Sequence, residues 1–510
     1  MKNTNIRNTI ISFITLIAII GCNPDQETAT DEIVGGGDVS AVQAADYEIE
    51  NAIQADLQVR DYLDFNNIDL SISSGIVTFE GEVSNLYQKQ RVEEIAKEIR
   101  GVEGVINHIE VQDAGVDDDD IEENIETALE MNPVTEEMNV DMMVSDGNVN
   151  LTGEVGSYQE KQLVEDVVMG VKGVVRIVNN LNIDYKTDNP DEEIKEEIKR
   201  TLANDIRVND ALIDVSVNNG MVTLSGIVGS ALEKDQATAD AWVNGVKAID
   251  ADSLLVESWS KDEDLRGNKY ARKSDSEIEE NVSAAFEKDP LITDYEVDVK
   301  VNEGTAVLTG KINNLSTKKH ATKVARNIVG VMEVDNFIKV IKEKDLSDRL
   351  VEKSINAKIK WNPYLERFDI KVSADKGRVY LSGDVDTYFE RRLAEKIAET
   401  VNGVSKINNY IHVNDFRSKQ YFSDTYFPEP VVPVTTEKYD DEIAEDIEEE
   451  LRWSTSVDVD DISVKVENAL VILTGIVDTR KEKYYAELNA YEGGAMDVNN
   501  KIKIKRDGKN

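Results

Sequence analysis

An apolar trio at helical spacing occurs six times in this chain, and each time a glycine follows 24 residues after the trio's last member. The trios are Ile49/Ile53/Leu57, Ile121/Ile125/Leu129, Ile194/Ile198/Leu202, Ile278/Val282/Phe286, Val351/Ile355/Ile359 and Ile443/Ile447/Leu451. The glycines are Gly81, Gly153, Gly226, Gly310, Gly383 and Gly475; five end a Leu-Ser-Gly or Leu-Thr-Gly triplet, and the first ends Phe-Glu-Gly. A spacing kept through six copies describes one small fold repeated, and argues against a single large catalytic core. Each copy runs to roughly 65–70 residues, close to the size at which one apolar core only just suffices. Neighbouring copies are therefore expected to lean on one another.

Apolar residues at i, i+4 and i+8 mark one face of a helix. An alternating strand follows, as in Ile213-Asp214-Val215-Ser216-Val217. A turn carrying Gly75, Gly147, Gly220, Gly304 or Gly377 then leads into a second strand that closes at the recurring glycine. Ser74-Gly75, Asp146-Gly147 and Asn219-Gly220 suit a two-residue hairpin turn, whereas Asn468-Ala469 in the sixth copy predicts a looser or different turn. A second helix comes next, and Gly101, Gly173, Gly245, Gly330, Gly403 and Gly494 read as its stop. The third strand follows at once. The fold class is thus α+β: helix–strand–strand–helix–strand, with a three-stranded mixed sheet, strand two in its centre, and two helices on one face.

The units are expected at 46–112, 117–185, 189–258, 274–340, 346–413 and 439–505. Residues 22–45, with Gly35-Gly36-Gly37, read as a flexible tether. The long joint at 414–438 carries Phe416, Tyr421, Phe422, Tyr426 and Phe427 followed by three prolines, and is expected to pack between the fifth and sixth units.

Ahead of the tether, Lys2 and Arg7 precede a short apolar run from Thr9 to Ile20, too short to span a membrane as a helix. Such a segment reads as an export signal at 1–21. Its end, Ile19-Ile20-Gly21-Cys22, resembles a bacterial lipoprotein signal, which implies cleavage before Cys22 and acylation of that residue. Cys22 is the only cysteine, so no disulfide forms within the chain. By the same resemblance Asn23, in place of a retaining aspartate, implies an outer-membrane anchor facing the periplasm or the exterior.

The repeat resembles the BON domain, a small module of bacterial envelope and osmotic-stress proteins. The carriers are the Leu-Ser/Thr-Gly strand end, the second helix, and a Gly-Val that leads to an asparagine: Gly101-Val102 to Asn107, Gly173-Val174 to Asn179, Gly330-Val331 to Asn336 and Gly403-Val404 to Asn409. The third unit departs with Ala251, the sixth with Ala495 after Gly494. The resemblance implies phospholipid association, or association with envelope proteins, and support of the envelope under stress.

The formal charge of −44 opposes nucleic acid and anionic surfaces at long range, which excludes direct DNA or RNA binding. Catalysis finds no support: His108, His320 and His412 occupy inequivalent positions, and no thiol remains beyond the anchor. The repeats account for each glycine, and no phosphate-cradling motif occurs. No metal or cofactor is expected. The acidic runs Asp117–Asp120 and Asp458–Asp461 lack the glycine and terminal glutamate of a calcium loop and read as helix capping and solvated charge.

Basic residues gather in two units. Lys319, Lys323 and Arg326 follow i, i+4, i+7 on the fourth unit's second helix beside Lys318, and Arg391, Arg392 and Lys396 take similar places in the fifth. The fifth unit holds 12 Lys/Arg against 10 Asp/Glu, the second only 3 against 17. These seven residues are the candidates for contact with lipid head groups or another polyanion. The competing reading makes them ordinary solvated faces.

Overall fold

A computed structural model describes residues 46–505 apart from 60–66, 133, 137, 186–188, 258–268, 270–272, 343–345, 387, 414–436, 458–461, 468–469, 478–479, 494 and 496. Cys22, the tether, most of the aromatic joint, Gly494 and the sixth unit's turn lie outside the described residues. Each of the six units carries two helices. The pairs are α1 (Asp46–Val59) and α2 (Leu86–Glu98), α3 (Asp118–Glu130) and α4 (Tyr158–Met169), α5 (Asp191–Asn204) and α6 (Ala231–Asp240), α7 (Asp275–Lys288) and α8 (Leu315–Arg326), α9 (Asp348–Trp361) and α10 (Tyr388–Glu399), and α11 (Glu437–Trp453) and α12 (Arg480–Glu492).

In the first unit β1 (Ile68–Ser73) pairs antiparallel with β2 (Ile76–Val83), and β2 pairs parallel with β3 (Gly104–Val111). The other five units repeat this order, with the second strand central. Each sheet turns one face to its helices. In the first unit Ile49, Ile53 and Leu57 from α1 meet Val77 and Phe79 from β2 and Val92 and Ile95 from α2, all essentially out of water. Burying such a side chain contributes about 1.5–3 kcal/mol. Six apolar clusters form, one centred in each unit, and neighbours extend them: the first takes in Ala231 of the third unit and packs against Trp453 of the sixth, and the second unit's packs against Leu86 of the first.

The recurring glycine does not close the second strand but stands two residues before its end, and it has a steric cause. At Gly226, φ is +117°, and an added Cβ would lie 2.0 Å from the Leu212 carbonyl oxygen at the head of the partner strand. The later glycine does not stop the second helix, as the sequence suggested. The helix ends three to five residues earlier in the units where both are described. Packing requires this glycine: a Cβ at Gly173 would come within 2.8 Å of Ile121, the leading isoleucine of α3.

Two polar devices recur, each in five of the six units among the described residues. An aspartate at the start of the first helix accepts both backbone N–H groups of the hairpin turn: Asp46 from Ser74 and Gly75, Asp118 from Asp146 and Gly147, Asp191 from Asn219 and Gly220, Asp275 from Glu303 and Gly304, and Asp348 from Lys376 and Gly377. Both turn residues have positive φ in each case, so the turn presents its two donors side by side. The second device is the asparagine before the last part of the third strand. Asn107, Asn179, Asn336, Asn409 and Asn500 each donate Nδ2–H to a backbone carbonyl of the second helix at 2.7–3.1 Å, and each accepts at Oδ1 from the amide two residues on. Asn500 fills this role in the sixth unit despite the change at Ala495.

Candidate functional site

The described residues all belong to one compact unit, and three junctions between repeats share one construction. The chain just past a second helix meets the end of another unit's first helix. Between units one and six, Arg100 N–H donates to Trp453 O at 3.0 Å and Thr455 N–H to Glu98 O at 3.1 Å. Between units three and four, Ile206 N–H donates to Asn327 O and Val329 N–H to Asn204 O, both at 2.9 Å. Between units two and five, Lys172 N–H donates to Trp361 O at 3.3 Å, and the Lys172 ammonium pairs with Glu366 at 2.9 Å. The first two junctions each close an antiparallel β-bridge, Ile99 with Ser454 and Asp205 with Ile328.

Side chains on the second helices and at their ends make further contacts. Lys97 of α2 pairs with Asp235 of α6 at 2.7 Å. Tyr158, opening α4, stacks on Trp242 just past α6, with ring centroids 4.4 Å apart. Tyr364 donates its hydroxyl to Asn85, the N-cap of α2, at 3.2 Å.

The basic candidates divide into two groups. Lys318 and Arg391 occupy a position that is Lys or Arg in all six units: Lys89, Lys161, Lys234, Lys318, Arg391 and Lys483, eight residues past the recurring glycine. There Lys89 donates to Ile109 O at 2.6 Å, Lys161 to Leu181 O at 2.8 Å and Arg391 to Asn409 O at 3.3 Å. In those three units the position ties the second helix to the third-strand segment of its own unit.

Lys319, Lys323, Arg392 and Lys396 instead interact with neighbouring units, while the Arg326 Nε is buried with no hydrogen-bond partner. Lys319 pairs with Glu399 of α10 at 2.5 Å, and Glu399 is itself buried. Arg392 donates to Ala495 O in the sixth unit at 3.4 Å. Lys323 feels the charges of Arg207, Lys396 and Glu94, which belong to three other units. Lys323 and Lys396 keep contact with water, yet protein surrounds them closely enough to depress their pKa. For Lys323, desolvation is reinforced by repulsion from Arg207 and Lys396 and opposed by Glu94. For Lys396, desolvation is the first cause, followed by the charge of Arg392.

Acids from the first three units border the same region. Burial, then Glu165 and Glu94, push the Asp166 carboxyl up to about 6. Arg207 forks onto Asp205 through bonds of 2.5–3.1 Å, and Asp240, desolvated beside Asp205, is held well above the ordinary carboxylate range. Sequence reasoning did not single out Asp166, Asp205, Arg207 or Asp240, because nothing in the pattern separates them from solvated helix positions.

The histidines are apart from one another. His320 contacts Asp289 at 2.6 Å in unit four, His412 lies 3.5 Å from Asp384 in unit five, and His108 is exposed in unit one. Among the described residues no group of three or more His, Cys, Asp or Glu could hold a metal ion. Among them, too, no helix is long and apolar enough to cross a membrane.

The model of the BON domain matches this chain six times, at residues 45–113, 117–185, 190–257, 274–342, 347–415 and 439–506. The chain belongs to the BON-domain family. This BON-domain protein is similar to osmotically-inducible protein Y of Escherichia coli, at 30% identity over 141 residues that cover 26% of this chain and 70% of that protein. It is also similar to the outer membrane lipoprotein DolP of Haemophilus influenzae, at 29% identity over 138 residues covering 26% of this chain and 71% of that protein. Envelope proteins built on BON domains are thus its relatives.

Proposed function

We propose that this BON-domain protein is a non-enzymatic envelope lipoprotein, held to the outer membrane through acylated Cys22, whose packed units bind phospholipid or envelope proteins and support the envelope under stress. The observation that carries this reading is the match to six BON domains, joined to a relative whose name places it in the outer membrane as a lipoprotein. The Ile19-Ile20-Gly21-Cys22 sequence supports the anchor, and the charge of −44 speaks against nucleic acid as a partner. Flotation of the full chain carrying Cys22→Ser with phosphatidylglycerol vesicles tests the lipid part. Co-flotation supports direct lipid binding, and its absence, with mass spectrometry still showing acylated Cys22 in the unsubstituted protein, leaves only the anchor.

A second reading, a membrane-anchored scaffold that binds envelope proteins without direct lipid contact, is favoured by one structural fact. Four of the seven basic candidates interact with neighbouring units: Lys319 with Glu399, Arg392 with the Ala495 carbonyl, and Lys323 and Lys396 through their charges. Exposed apolar side chains include Tyr410 on the fifth unit's third strand and Phe337 between the two segments of the fourth unit's third strand.

A further inference from the structure

The sixth unit presents lysines and isoleucines together on the sheet face that its helices leave uncovered. Its first strand (Ile462–Glu467) pairs antiparallel with its second (Leu470–Val477). The second pairs parallel with a third strand in two segments, Asp497–Asn500 and Lys503–Ile504. Val471, Leu473 and Ile502 pack inward with the unit's core. Strand alternation therefore sends Leu470, Ile472 and Ile476 to the opposite face, together with Lys501, Lys503 and Lys505. Register sets Ile472 opposite Lys465 and Ile476 opposite Lys503. Leu470 is 43% and Ile476 51% exposed, and all three third-strand lysines are exposed. Among the described residues the side chains of Lys501 and Lys503 make no ion pair or hydrogen bond. Lys465 pairs with Glu467 at 2.6 Å, an exposed contact of little worth.

The first two units carry acids on the same face. Counted from the recurring glycine, Ile476 stands where they have Glu82 and Glu154. Counted from the clamp asparagine, Lys503 stands where they have Glu110 and Asn182, and Lys505 where they have Gln112 and Asp184. Solubility asks only for charge there, and carboxylates supply it in the first unit.

Exposed isoleucine beside a row of lysines complements a surface that is anionic at its head groups and apolar beneath them. The chain's charge of −44 opposes such a surface at range. Salt screens that field beyond about 8 Å at physiological ionic strength, so the local sign decides at contact. Backbone bonds from Arg100 to Trp453 and from Thr455 to Glu98 also hold the sixth unit on the first, the unit nearest Cys22 in the sequence. We infer that the outer sheet face of the sixth unit docks on an anionic lipid surface, with Lys501 and Lys503 at the head groups and Ile476 against the apolar layer. This rests on the lipid half of the proposed function, and it moves the contact from the seven helix cations to a strand face.

The experiment floats the full chain carrying Cys22→Ser with vesicles of phosphatidylglycerol and phosphatidylcholine, and with phosphatidylcholine alone. Lys501→Gln/Lys503→Gln is expected to lower partitioning onto the anionic vesicles about tenfold or more. The control Lys353→Gln/Lys360→Gln removes equal charge from exposed positions of α9 and should lower it less than about twofold. Ile476→Ser leaves the charge unchanged and should weaken binding about threefold or more. Lys501→Arg/Lys503→Arg keeps the charge and should bind within about threefold of the parent; loss of binding in a folded Arg pair overturns the docking face. If the parent floats and the Gln pair changes it no more than the control does, the face is overturned while the lipid reading stands. If the parent does not float at all, both fall. Sedimentation without vesicles checks the other occupant: a dimer that the Gln pair dissolves would make a second acidic chain the partner and overturn the lipid assignment.

Discussion

Asn204 of α5 and Asn281 of α7 exchange two side-chain amide hydrogen bonds, each 3.1 Å long, across the contact between the third and fourth units. Beside them the backbone of Asn204 accepts from Val329. Asn281→Ala removes both amide bonds and should weaken this contact by about 1 kcal/mol. Hydrogen exchange at the Ile206 and Val329 amides is expected to quicken about fivefold, with amides inside the second unit unchanged.

The asparagine clamp predicts a larger cost inside one unit. Asn409→Ala strips the Arg391 carbonyl and the Ile411 amide of their partner. Leaving such groups unsatisfied costs about 2 kcal/mol. Chemical denaturation should show that loss, and Asn408→Ala, next to it on the same strand, should show much less.

Gly226→Ala should be among the most damaging single changes. The new Cβ has 2.0 Å to the Leu212 oxygen and a φ of +117° to tolerate. The expected loss is about 3 kcal/mol, read from the denaturation midpoint. Gly115, around which nothing lies within 4 Å, supplies the control.

Asp166 predicts a pH dependence. Its folded-state pKa, raised to about 6 by burial and then by Glu165 and Glu94, lies above the unfolded value. The folded protein therefore binds this proton more tightly than the unfolded chain does. Stability from this group is full at pH values below the unfolded pKa and is lost as pH rises to about 6. Asp166→Asn, which cannot ionise, should melt above the parent at pH 7, and the difference should vanish near pH 4.

The unit was legible in the sequence because apolar periodicity and steric glycines leave a mark at fixed spacing. Ile121, Ile125 and Leu129 all lie buried on one face of α3, and Gly153 stands two residues before the second strand ends at Val155. The turn-holding aspartates left a mark too. Asp46, Asp118, Asp191, Asp275 and Asp348 each stand 29 residues before their turn glycine. Asp440 stands at the same distance before Ala469. The junctions left none. Lys323 and Lys339 are both exposed lysines in polar surroundings along the chain, yet charges from three other units reach Lys323. The backbone contacts at the junctions impose no residue type, and side-chain contacts between units, such as Tyr158 with Trp242, are single pairs that produce no period.

The account rests on the six BON units packing against one another. Zero-length carbodiimide cross-linking of the full chain, read by mass spectrometry, tests this most directly, because it joins only carboxylates and amines already in contact. Packed units predict links between Lys97 and Asp235, Lys172 and Glu366, and Lys319 and Glu399, at monomer concentration and without dimer bands. Links confined to pairs inside single units, such as Lys97 with Glu93, would contradict it.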